Sequence, residues 1–75
     1  MIDIVNLKQI KIKMEKDKEL TPFVYAFYES YEATFSIRTG NRINGQMPPE
    51  QMNEIETWIV LNQEKLQNTW NKLDI

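Results

Sequence analysis

Between Lys8 and Met14 apolar and charged residues alternate, with Ile10, Ile12 and Met14 on one side and Lys11 and Lys13 on the other. That period of two is the signature of a strand with one buried face. Ile2, Ile4, Val5 and Leu7 are strand-like as well, but their phase breaks near Asn6. Residues 1–7 therefore read either as an extra edge strand or as a flexible arm. The run Glu15-Lys16-Asp17-Lys18-Glu19 has no apolar face and is expected to form an exposed loop. Phe23 to Tyr28 is aromatic and β-branched on both faces, which fits a central strand. One of its faces must lie away from any helix, either Phe23, Tyr25 and Phe27 or Val24, Ala26 and Tyr28. After a tight connection at Glu29-Ser30, Tyr31 to Arg38 alternates again. Tyr31, Ala33, Phe35 and Ile37 are expected inward, and Glu32, Thr34, Ser36 and Arg38 outward. Thr39-Gly40-Asn41 predicts a turn, because Gly and Asn tolerate the left-handed conformation. A short strand through Arg42-Ile43-Asn44 should follow, ended by Gly45.

Pro48-Pro49-Glu50 predicts a helix start, since proline at the first helical position loses no hydrogen bond and has its φ already set. From there to about Lys72 no Gly or Pro interrupts. At 100° per residue, Met52, Ile55, Ile59, Leu66, Trp70 and Leu73 gather on one face, a stripe suited to packing on a sheet. The expected fold is α+β, a three- or four-stranded antiparallel β-meander followed by one long C-terminal helix packed on one sheet face.

The chain has 75 residues, 41% of them hydrophobic and 27% charged, which is the composition of one small globular domain spanning residues 1–75. No stretch approaches the ~20 consecutive apolar residues of a membrane span. Asp3 stands where a signal peptide carries a basic start. A cytoplasmic location is the expectation.

Chemistry is narrowed more sharply. With no cysteine and no histidine, thiolate catalysis, disulfides and the commonest general base are absent together. Ser30 and Ser36 have no histidine to activate them. Gly40 and Gly45 are the only glycines, too few for a phosphate-cradling loop. Nothing marks a pair of carboxylates held ~5–9 Å apart. The expectation is a non-catalytic chain with no cofactor, metal or small-molecule substrate.

The net charge of −2 is too small to imply a polyionic partner. In the first twenty residues five lysines face four carboxylates, leaving +1. Lys11 and Lys13, with Arg38 and Arg42, could form a weakly nucleic-acid-binding strand face with aromatics for stacking. Lysines on an edge strand also protect it from edge-to-edge aggregation. On the helix, Val60 and Leu61 point away from the apolar stripe, and Trp58 lies at its margin, three residues from Leu61. Either Trp58 and Leu61 anchor an interface, or Trp58 tucks under the sheet edge and Leu61 is a stray surface apolar. A sheet with one helix cannot cover both of its faces, so the aromatics of Phe23 to Tyr28 leave apolar surface for a partner or a second copy.

From about Ile10 to Leu73 the chain resembles the small bacterial family catalogued as domain of unknown function 4160. The matching residues are Ile10-Lys11-Ile12-Lys13-Met14, Thr21-Pro22-Phe23-Val24-Tyr25, Tyr31-Glu32-Ala33, Thr39-Gly40 and Gly45-Gln46-Met47-Pro48. They continue with Trp58-Ile59-Val60-Leu61-Asn62-Gln63-Glu64-Lys65-Leu66 and Trp70. The spacing of Gly45, Pro48, Trp58, Leu66 and Trp70 is the most specific part. Members typically show Pro-Pro-His-Phe-His where this chain has Thr21-Pro22-Phe23-Val24-Tyr25, and a helix histidine at the position of Asn62. Whatever those imidazoles do in the family, Phe23, Tyr25 and Asn62 cannot do, and the strand face becomes a hydrophobic contact surface. Members are often encoded beside another very small protein, as in toxin–antitoxin or regulator pairs. The resemblance thus implies a binding role. The expected function is a small protein-interaction module that forms a homodimer or binds another small protein, using Trp58, Leu61, Phe23, Tyr25 and Phe27. The alternative is weak nucleic-acid binding through Lys11, Lys13, Arg38 and Arg42.

Overall fold

The computed structural model describes residues 2–15 and 21–73. Most of the charged run expected to be an exposed loop, residues 16–19, lies outside the described residues. Five strands follow in chain order: β1 (Ile2–Leu7), β2 (Ile10–Met14), β3 (Phe23–Tyr28), β4 (Tyr31–Ser36) and β5 (Arg42–Gln46). They form one antiparallel sheet in the order β1-β2-β3-β4-β5, with α1 (Pro49–Leu61) and α2 (Gln63–Lys72) after it. The α+β meander is as expected. Its strand count is five rather than three or four, and two helices stand where one long helix was expected.

The fifth strand is the N-terminal segment, which pairs along β2 from Ile2↔Met14 to Leu7↔Ile10. Lys8 and Gln9 join the two strands with φ values of 49° and 71°, the geometry of a two-residue hairpin turn usually built from Asn and Gly. The Asn6 side-chain oxygen accepts from the Gln9 N–H at 3.1 Å. The break in hydrophobic phase has a structural counterpart: the register slips between Asp3 and Val5, so Ile4 is an extra residue on β1.

The helix divides at Asn62. Its side-chain Nδ2 donates to the Trp58 carbonyl at 2.8 Å, and its backbone N–H donates to Ile59 three residues back, instead of to the fourth. Asparagine competes in this way for backbone groups that an uninterrupted helix would pair. Gln63, the first residue of α2, then donates through Nε2 to the carbonyls of Ile37 (3.1 Å) and Arg38 (2.7 Å). The junction is thereby tied to the end of β4.

Both helices supply one core. Ile55 and Ile59 of α1 and Leu66 and Trp70 of α2 are buried with Ile10, Ile12, Met14, Val24, Ala26, Ala33, Phe35 and Ile37. Met52 and Leu73 complete the expected stripe, half-buried against that core. Two inward–outward expectations fail at strand ends. Tyr31 sits beside the β3–β4 turn, paired with Tyr28, and keeps 40% of its surface exposed. Ser36 is buried instead, paired across the sheet with buried Phe23 while its hydroxyl accepts from the Thr39 N–H at 3.4 Å in the turn that follows. Among the described residues no helix is long and apolar enough to cross a membrane.

Candidate interaction surface

Among the described residues the buried side chains of both helices pack on one face of the sheet. Apart from Trp70, which reaches Phe23 at the end of β3, no helix residue of the core lies against the other, referred to below as the open face. Val24 and Ala26 point to the helices and are fully buried, so the open face of β3 is the one carrying Phe23, Tyr25 and Phe27. Pairing registers align the open face into two rows across all five strands. One row runs Asn6, Lys11, Phe27, Glu32, Gln46, and the other runs Asp3, Lys13, Tyr25, Thr34, Asn44.

The three aromatic rings do not share one environment. Phe23 is only 6% exposed. Its ring lies 5.2 Å from Tyr25, edge to face, and 5.2 Å from Trp70 at 59°. It therefore belongs to the core and supports the neighbouring ring from below. Tyr25 and Phe27 are half-buried, with centroids 6.3 Å apart. Lys13 holds its Nζ 5.8 Å above the Phe27 ring and 3.4 Å from the Asp3 carboxylate. A cation over a ring face is attracted by its quadrupole, so the lysine stem lies along the aromatic row. On the β4–β5 side the face is hollow. A groove of about 600 Å³ is lined by Phe23, Tyr25, Glu32, Thr34, Ile43 and Asn44, among others. The hollow follows from small residues and from a second register slip, which makes Ile43 an extra residue on β5. Ile43 is 56% exposed.

The helix candidates lie elsewhere. Trp58 is half-buried against the core, whereas Leu61 is 77% exposed and Val60 is exposed beside it. Trp58 and Leu61 thus stand on the helix layer, on the far side of the core from Tyr25 and Phe27, and the two sets form separate surfaces. The basic residues are dispersed too. Lys11 and Lys13 are on β2, while Arg42 opens β5, three strands away or about 14 Å at ordinary strand spacing. The Arg42 guanidinium donates to the Gly45 carbonyl of its own strand. Arg38 follows β4, its carbonyl held by Gln63.

One further ion pair joins the sheet to the helix layer. Lys8 Nζ donates to Glu54 at 2.9 Å, and this contact raises the lysine above its ordinary pKa. Among the described residues no group of three or more His, Cys, Asp or Glu side chains could hold a metal ion. Sequence reasoning did not find the row pattern of Lys11, Phe27 and Glu32, because register is a property of pairing and not of any one strand.

No curated protein and no solved structure matches the chain. A family model described as domain of unknown function (DUF4160) matches residues 9–71, from the β1–β2 turn to the last turn of α2. The match spans all but the first strand and the extreme C-terminus, and the chain belongs to that family.

Proposed function

We propose that the chain is a non-catalytic protein-interaction module, which self-associates or holds one small protein, with the open sheet face as its contact surface. The observation that carries this reading is the aromatic centre of that face. Antiparallel sheets often leave one face to water, but such a face is then normally polar. Here Tyr25 and Phe27 occupy its middle, Ile43 stands at its border, and polar residues ring them. An apolar centre with a polar rim is the anatomy of a protein contact. A place in a toxin–antitoxin-like or regulatory gene pair fits the same surface.

Mass in solution, measured by light scattering after size exclusion, tests the reading on the wild type, Tyr25→Ser, Phe27→Ser and Leu61→Ser. Association of the wild type with itself, or with a co-expressed candidate small protein, should weaken in the two sheet variants. Loss of association in Leu61→Ser alone would move the contact to the helix layer.

A further inference from the structure

We infer that the occupant of the open face is a second copy of this chain, packed sheet against sheet about a two-fold axis parallel to β3. The inference rests on the reading above that this face contacts protein, and it adds the partner and the register.

The row through Phe27 is antisymmetric in charge about β3, and the row through Tyr25 sets a charged side against a neutral polar one. On the β2 side of the aromatic centre stand Lys11 and Lys13; on the β4 side, at the same two levels, stand Glu32 and Thr34. A two-fold axis lying between two such sheets and running along β3 exchanges the sides while keeping each level. Strand β2 of one copy then lies over β4 of the other. Lys11 comes opposite the second copy's Glu32, twice by symmetry, and Lys13 comes opposite Thr34. One strand further out, Asp3 meets Asn44 and Asn6 meets Gln46, each a donor–acceptor match. Tyr25 and Phe27 meet their own copies on the axis. An isologous contact needs this kind of self-complementarity.

The other in-plane two-fold, across the strands, sets β2 on β2 and lysine over lysine. Like charges placed face to face suppress that arrangement. Twist rotates packed sheets by about 30°, but β2 and β4 flank the axis by only about 4.8 Å, so the Lys11–Glu32 pairing survives it. Shape agrees with charge. The groove over β4 and β5 lies where the second copy's β2 brings its long lysine side chains.

Area sets the strength. Five strands of five or six residues present a footprint of about 24 by 18 Å. Two such faces bury on the order of 1,000 Å², under the ~1,200–2,000 Å² of a standard stable interface. The dimer is therefore weak and concentration-dependent, and it is governed by its charges.

Charge-swapped single variants test this. Lys11→Glu sets carboxylate against Glu32, and Glu32→Lys sets ammonium against Lys11. Sedimentation velocity between about 10 μM and 1 mM should show the wild type passing from monomer to dimer, with each variant at least tenfold weaker. An equimolar mixture of the two variants restores both contacts as Lys–Glu pairs and should recover the wild-type mass. Circular dichroism confirms that each variant is folded. A dimer that persists unchanged in both variants overturns this register while leaving the interaction module standing. A folded wild type that stays monomeric at about 1 mM overturns the second copy as occupant; the module reading then stands or falls on a co-expressed small protein that Tyr25→Ser releases.

Discussion

The rings of Phe23 and Trp70 lie 5.2 Å apart at an interplanar angle of 59°, joining the first residue of β3 to the last turn of α2. This contact joins the two residues within the core. It also fixes the base on which Tyr25 stands. Trp70→Ala should destabilise the fold by about 3–5 kcal/mol, the usual loss for a large buried aromatic. Urea unfolding followed by far-UV circular dichroism measures it. A loss under about 1 kcal/mol would mean that α2 is not essential to the core.

Gln63 is the only side chain among the described residues seen to reach from the helix junction to the backbone that follows β4. Gln63→Ala removes the donor from two carbonyls at once, one of them on buried Ile37. The expected loss is about 1–2 kcal/mol. Hydrogen exchange should report it locally, with faster exchange in α2 than in α1.

Gly45 allows the close approach of β5 to β4. A Cβ at this position would stand 2.3 Å from the Glu32 carbonyl oxygen and 2.7 Å from the Ala33 Cα, and the backbone has φ +88°. Both the clash and the left-handed backbone oppose any side chain. Gly45→Ala is expected to lower stability by at least about 2 kcal/mol, read as a fall in the urea midpoint, and to detach β5 before the rest of the sheet unfolds.

The Lys8–Glu54 contact carries a pH signature. Hydrogen bonding to Glu54, and then the charge of that carboxylate, raises the folded-state pKa of Lys8. The resulting stabilisation is fully present below the ordinary lysine value near ~10.4 and is lost as pH rises through the raised folded value. An NMR titration of the Lys8 side chain should show the higher midpoint. Glu54→Gln should return it toward the ordinary value, and added salt should do so in part.

Strands β2 and β4 were legible because each has a buried face that imposes alternation on its residues, and β3 was legible from its continuous aromatic and β-branched run. The helix stripe was legible for the same reason, and Ile55, Ile59, Leu66 and Trp70 are all buried. Strand β1 was ambiguous because its bulge at Ile4 shifts the apolar phase and its turn uses Lys8 and Gln9, which carry no turn signal. The division at Asn62 escaped because neither Gly nor Pro marks it; it depends on a side chain that caps Trp58 and on a neighbour that bonds to a distant carbonyl. Spacing alone showed Trp58 and Leu61 as neighbours but could not show that one is half-buried and the other exposed. The chemistry of the open face was readable residue by residue, whereas its antisymmetry required the register of four strand pairs.

The two extra residues of the sheet, Ile4 and Ile43, lie on its two outermost strands. Each interrupts the straight run of free N–H and C=O groups that an edge strand offers to another chain. A sheet with an aromatic face and two regular edges would be a template for fibre growth along the hydrogen-bonding direction. Irregular borders make that polymerisation unfavourable, whereas the proposed two-fold contact between faces would close after two copies and stop growth.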